Sequence, residues 1–391
     1  MTRTRALRAR TLVVTAGAAL LAAACSPAAA TGARSASGGA GATTAAGATG
    51  QCSVAASRVA AAEKPARLSL PAAGFDMTKN KGKTVWFISL TLANQFSADL
   101  ADGFKAAAAA AGLKPVIFDG QAQVTRWNQG ISEAVNARAA GIVLYAVAPS
   151  LVSGPLAQAE AAHIPVVDTL NGSPGDPLPN GITAHATLDY FSAGATIADY
   201  VAATSGCSAQ VIYLDASSLD AYHDMLSGFK QELPAVCPGC RLDDVLEVNP
   251  ATADQQLPAL AATAVSRYPQ AGYLITSWDA MVPLVEPSLE QAGHADIHVV
   301  SHDGQGANLD QIASGSTIQA ADVSDPLNQA MGWFIMDQLG RAMAGVPTVR
   351  EDLPQQLFVK ANLPADPADQ AALFPGFDGY QARWLALWGI R

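Results

Sequence analysis

The chain has 391 residues, 50% of them hydrophobic and 14% charged, with a net charge of −10. That length permits one to three domains and a large core. The acidic balance, with no basic cluster after the first ten residues, excludes a nucleic-acid footprint, and no later apolar run is long enough to span a bilayer.

The first predicted element is an address. Arg3, Arg5, Arg8 and Arg10 lead into an apolar segment, Leu12 to Leu21, and then Ala22-Ala23-Ala24 before Cys25. This pattern predicts a secretory signal over residues 1–24. It resembles a bacterial lipoprotein signal, which implies cleavage before Cys25 and a lipid anchor on that cysteine. Residues 26–50 are almost all Ala, Gly, Ser and Thr and have little to bury. Residues 25–80 are therefore expected to be a lipid-anchored flexible tether, with a short helix from Ser53 to Glu63 and an extended stretch from Pro65 to Pro71.

From Lys83 the chain settles into repeated units. Val85 to Ile88 is a short apolar run between turn signals, a buried strand. A polar loop, Ser89 to Ser97, follows, then a helical pattern with Leu100 and Phe104 on one face, stopped at Gly112. Further apolar runs stand at 116–118, 142–147, 164–167, 211–214, 245–248, 273–275, 297–300 and 317–321. Helical patterns separate them at 97–111, 126–139, 150–162, 190–204, 221–233, 253–267, 279–292 and 305–314, and Pro326 to Ala344 closes the series. Asp325 is placed to cap that last helix ahead of Pro326. Alternating strands and helices predict an α/β fold with parallel sheets, and this many strands divides into two lobes. Ligands in such sheets bind outside the carboxyl ends of the strands.

Apart from Cys25 there are four cysteines, Cys52, Cys207, Cys237 and Cys240. An even number in an exported chain favours disulfides. Cys237-Pro238-Gly239-Cys240 follows a helix rather than opening one, so no helix N-terminus stabilises a thiolate there, and the structural reading is preferred over redox chemistry. The pairing is left open, with a bond from Cys207 to Cys237 or Cys240 compatible with neighbouring strands. The histidines have no metal-ligand spacing, no cofactor motif is present, and neither a G-x-S-x-G elbow nor a phosphate-binding loop occurs.

Five motifs in order carry a resemblance. They are Ser89 with Asn94-Gln95-Phe96 and Gly103-Phe104; Ile164-Pro165-Val166-Val167-Asp168; Ser227-Gly228-Phe229; Tyr273 to Met281; and Val299-Val300-Ser301-His302-Asp303-Gly304. Together they resemble the ribose-binding type of periplasmic sugar-binding proteins, over residues 83–360. The resemblance implies two αβα lobes with parallel sheets joined by three crossovers, near Leu188, Asp322 and Leu353. One lobe would comprise 83–188 with 323–352, the other 189–322 with 353–363, and 364–391 would form a tail whose Trp384 and Trp388 dock on a lobe. It implies a monomer that delivers a small molecule to an ABC permease and ATPase complex in the membrane, or that presents the ligand to a sensory receptor. No catalysis is implied.

The resemblance places the ligand-binding set at Asn94, Phe96, Asp168, Asn171, Asp215, His223, Trp278, Asp303 and Asp322. Phe96 and Trp278 would stack on a ring from opposite lobes, and Asn94 and Asp303 would bond its hydroxyls. Asp168 and Asn171 compete for one position. Ser217, Tyr222, Tyr145 and Tyr190 are neighbours of the site. The departures from the family pattern are specific. Ser97 replaces an aromatic, His223 an arginine, Trp278 an asparagine, Ala146 an asparagine and Asp322 a glutamine. A pentose is fixed by paired planar polar groups; with several lost and aromatics gained, ribose is not the expected ligand. Another sugar, a polyol or a sugar derivative is, with a non-sugar aromatic or cyclic compound as the alternative.

Overall fold

Alanine costs least in a helix, and the low-complexity stretch uses it. Helix α1 runs from Ala40 to Ala62. Ala55 and Val59 are buried, and the Cys52 sulfur lies at bonding distance from that of Cys207. The expected tether over residues 25–80 is thus corrected for its described part. Helix α1 contains the short helix expected from Ser53 and extends it back over residues expected to be coil, Arg58 pairs with Glu232, and Arg67 bridges to Gly376. The computed structural model describes residues 40–71, 73–315, 317–326, 328–349 and 353–390. The signal segment, Cys25 and the start of the tether lie outside the described residues. Among those described, no helix is long and apolar enough to cross a membrane.

The first lobe is built from β1 (Thr84–Ser89), α2 (Gln95–Ala110), β2 (Lys114–Asp119), α3 (Val124–Asn136), β3 (Gly141–Tyr145), α4 (Ser153–Ala161), β4 (Val166–Thr169) and the two-residue β5 (Ala184–His185). Its sheet is parallel, in the order β2-β1-β3-β4-β5. The second lobe follows with α5 (Tyr190–Thr204), β6 (Gln210–Asp215), α6 (Asp220–Val236), β7 (Arg241–Glu247), α7 (Ala253–Arg267), β8 (Tyr273–Thr276), α8 (Val282–Gln291), β9 (His298–Asp303), α9 (Gly306–Ser314) and β10 (Gln319–Ser324). Helix α10 (Asn328–Ala344) returns to the first lobe, and β11 (Gln356–Val359) to the second, where it pairs antiparallel with β10. The second sheet reads β11-β10-β9-β8-β6-β7. The chain therefore crosses between sheets three times, after β5, after β10 and before β11. The expected two-lobed α/β fold with three crossovers is the fold observed.

The two Gly-Phe pairs have a packing reason. A Cβ on Gly103 would sit 2.3 Å from the Gln329 carbonyl oxygen, so α2 and α10 cross backbone against backbone. A Cβ on Gly228 would sit 2.0 Å from the Phe191 carbonyl oxygen, which does the same for α6 and α5. Phe104 and Phe229, one residue on, are fully buried. Each lobe thus uses one glycine for close approach and one ring to fill the core beside it.

Helices α11 (Gln370–Leu373) and α12 (Tyr380–Leu387) end the chain. Trp384 and Trp388 are fully buried, and Trp388 stacks on Trp333 of α10 at 5.4 Å and donates its indole N–H to Asp337 at 2.7 Å. The tail is core, docked on the helix that belongs to the first lobe. A further difference concerns Asp325. Its carboxylate turns to His302 and Gln355 instead of capping, and α10 starts only at Asn328.

Candidate functional site

Both sheets present their carboxyl ends to one cleft of about 540 Å³. From the first lobe, the loop after β1 supplies Leu90, Asn94 and Phe96, the end of β3 supplies Tyr145 and Ala146, and the residue after β4 is Leu170. From the second, the loop after β6 supplies Leu219 and Tyr222, the turn after β7 Asn249 and Pro250, the residues after β8 Trp278, and the end of β9 Asp303. A hollow of about 760 Å³, near Lys83 and Arg138, lies at the amino ends of β1 and β3. It is the larger volume, but it gathers residues of one lobe only, at the end of the sheet where ligands do not bind.

The walls are aromatic. Phe96 is the second residue of α2, and Asn94 caps that helix, its Oδ1 accepting the Ser97 N–H at 2.8 Å. Behind Phe96 the Ser97 hydroxyl lies 3.0 Å from the Tyr145 hydroxyl. Opposite, Trp278 and Tyr222 pack at 5.5 Å between ring centres, Tyr222 meets Tyr190 edge-on at 6.0 Å, and Tyr190 lies over the His302 ring at 5.2 Å.

The floor is charged. Asp303 ends β9 with φ 129°, a value non-glycine residues rarely adopt, and Gly304 follows at φ 82°. A Cβ on Gly304 would meet that of Ser324 at 2.6 Å, so the turn that aims Asp303 requires glycine. His302 Nδ1 lies 3.2 Å from Asp303 Oδ1, and His302 Nε2 lies 3.1 Å from Asp325 Oδ1. Gln355 donates to Asp325 at 2.8 Å. Burial alone would lower the His302 pKa, but Asp325 and Asp303 outweigh it and hold it near 10. Asp303 goes the other way. Burial raises it to about 6 against the pull of His302. His302, Asp303 and Asp325 are also the one group among the described residues close enough to hold a metal ion. With a carboxylate on each ring nitrogen, the arrangement is that of an imidazolium between two anions.

Beneath this floor Asp279 and Asp322 meet around Ser301, which approaches them at 2.5 and 2.8 Å. Burial and the adjacent Asp322 push the Asp279 pKa well above the carboxylate range. Its other oxygen accepts the Gln305 N–H at 2.6 Å and fixes the loop after Asp303.

Of the nine expected ligand residues, four line the cleft: Asn94, Phe96, Trp278 and Asp303. The other five do not line it. Asp168 is fully buried and engaged by Asn171 at 2.5 Å and His185 at 3.5 Å. Asn171 is spent on that bond and on the Val147 carbonyl at 3.2 Å. Asp215 folds back on Ser217, accepting its N–H at 3.1 Å and its hydroxyl at 2.5 Å. Asp322 lies inside β10, opposite Ser301, below the floor. His223 points to solvent, because one helical step carries the cleft-facing position to Tyr222. The residues that sequence reasoning passed over are Trp127, whose indole N–H donates to the Leu90 carbonyl at 3.1 Å, and Leu170. Neither matches a motif. Gln355 was passed over for the same reason, whereas His302 stands inside the last of the five motifs and was read there only for metal-ligand spacing.

Residues 85–345 match the family described as periplasmic binding protein domain. No curated protein matches. Among solved structures, a 5-methylthioribose transporter solute-binding protein from Thermotoga lettingae, with 5-methylthioribose bound, is similar at TM-score 0.68 and 16% identity, covering 82% of this chain and 99% of that one. A glucose-galactose binding protein from Geobacillus stearothermophilus gives TM-score 0.64 and 18% identity over 73% and 99%. An ABC sugar transporter subunit from Rhodobacter sphaeroides gives 0.63 and 17% over 72% and 99%. At these identities the likeness is one of fold.

Proposed function

The chain belongs to the periplasmic binding protein domain family, and on that premise we propose an exported, lipid-anchored solute-binding protein. It captures a small ring compound, a sugar or sugar derivative, between its lobes and delivers it to an ABC importer. The observation that carries this reading is the cleft itself, in which Phe96 and Asn94 of one lobe face Trp278 and Asp303 of the other. A ligand that touches both walls binds the closed form better than the open one and shifts the population toward it. Phe96 and Trp278 take the faces of the ring, Asp303 accepts its hydroxyl hydrogens, and the Asn94 amide N–H groups reach a further oxygen. Nothing in this sequence of events needs a covalent step. Cys25 supplies the anchor, and the pairs Cys52–Cys207 and Cys237–Cys240, whose sulfurs lie at bonding distance, form disulfides in the oxidising compartment.

The test is titration calorimetry of the exported chain against monosaccharides, polyols and their derivatives, with free cyclic amines and aromatic acids as the contrast set. One-to-one binding by a member of the sugar group is the expected result. Binding confined to the contrast set would overturn the substrate assignment.

A further inference from the structure

We propose that the cleft selects a ring compound that carries an apolar substituent and no negative charge, with Leu170 as the residue that reads the substituent. This rests on the solute-binding reading above and names its substrate class.

The charge argument comes first. No lysine, arginine or histidine lines the cleft, whereas Asp303 and Asp254 both do. His302, which stands beside Asp303, already faces that carboxylate at 3.2 Å and Asp325 at 3.1 Å. An anionic group would meet carboxylates with no counter-charge to spare. The second argument concerns hydrogen bonds. Several of the inward polar groups on the first-lobe wall and beside it are committed to the protein. Asn94 Oδ1 caps α2, Ser97 and Tyr145 bond each other, and the Asn249 side chain accepts the Ala251 N–H at 3.0 Å. An unsubstituted sugar has hydroxyls on every side, and those that turn toward Phe96, Leu170 or Trp278 lose water without a replacement partner.

The third argument is the backbone at Leu170. Its φ is 60°, in the left-handed region that suits Gly and Asn and penalises a bulky side chain. The cleft residues Ala122 (φ 52°), Ala146 (φ 53°) and Asp303 (φ 129°) share the feature, so backbone strain collects around this cavity. Its side chain is buried in the core that backs the cleft, and what it turns to the cavity is apolar. The volume agrees. About 540 Å³ falls within the roughly 300–1,000 Å³ typical of sites for drug-sized ligands, which leaves room for a substituent beside the ring.

Calorimetry on the full chain with matched sets tests this: glucose, phenyl β-glucoside and glucose 6-phosphate, and the same with ribose, its 5-alkylthio derivative and its 5-phosphate. The substituted member should bind roughly 10- to 100-fold more tightly than its parent, and the phosphates should not bind. Leu170→Asn, which suits the backbone, should keep the fold by thermal melting and cut that preference about tenfold. If the parent sugar binds as tightly as the substituted one, if a phosphate binds, or if Leu170→Asn leaves the preference intact, the inference is wrong while the solute-binding reading stands. If no member of either set binds, both fall.

Discussion

Among the described residues two histidines, the buried His302 and the half-buried His185, face aspartates, and the two arrangements are built differently. His302 is fully enclosed, holds a carboxylate on each ring nitrogen at 3.2 and 3.1 Å, and lies under Tyr190. Its neighbours come from all three crossings. Tyr190 follows the first, Asp325 sits in the second and Gln355 in the third. His185 has one carboxylate, Asp168, at 3.5 Å, and both partners belong to adjacent strands of one sheet. Burial opposes the charge on His185 too, and Asp168 raises its pKa against that. The first pair joins the hinge to the ligand floor, whereas the second fastens two strands. A buried charge earns a functional reading from what it connects, since burial and ionisation alone are common to both.

The comparison can be broken in four ways, taken from the largest effect down. His302→Gln leaves Asp303 and Asp325 buried without the cation between them and should cost about 3–5 kcal/mol in urea unfolding. A loss under about 1 kcal/mol would mean that the imidazole bears no charge. The pH profile is the second test. The His302 pKa is about 10 in the folded chain and about 6.5 when unfolded. Its contribution is therefore complete below pH 6.5 and is lost as pH rises through 10, a fall of about 1.4 kcal/mol per pH unit between them. The fall should be absent from His302→Gln. Asp303, raised to about 6 by burial, adds a separate decline between its unfolded value near 4 and pH 6.

His185→Gln is third. With a single partner and a looser contact, it should cost about 1–2 kcal/mol and leave ligand affinity unchanged, whereas His302→Gln should lower affinity through Asp303. Equal effects on binding would erase the distinction. Last, the Ser173 hydroxyl of the first lobe donates to the Asp224 carboxylate of α6 in the second, a contact between the lobes. Ser173→Ala should weaken closure by about 0.5 kcal/mol, seen as a twofold to threefold rise in ligand dissociation rate.

The legible part of the fold was its rhythm. Apolar runs between turn signals marked nine strands because buried parallel strands must be apolar throughout. Two escaped: β5 is only two residues long, and β11 lies among the polar residues of the last crossing. The part of helix α1 before Ser53 escaped because alanine-rich sequence reads as linker unless something pins it, here Cys52 and, a turn further on, the buried faces of Ala55 and Val59. In the site, residues just beyond a strand end were legible, as with Asn94, Trp278 and Asp303. Asp215 and Asp322 also stand near strand ends, but nearby serines turn their carboxylates inward. Spacing places a residue along a strand; it does not say which partner its side chain finds. Leu170 carries no polar group and gave no sequence signal, and its left-handed backbone is visible only in the fold.

Small-angle scattering of the chain, free and saturated with its tightest binder, addresses the claim that two lobes close on a solute. A smaller radius of gyration in the bound state, abolished when Trp278→Ala and Asp303→Asn are combined, is the predicted result. Identical scattering curves at proven saturation would contradict it.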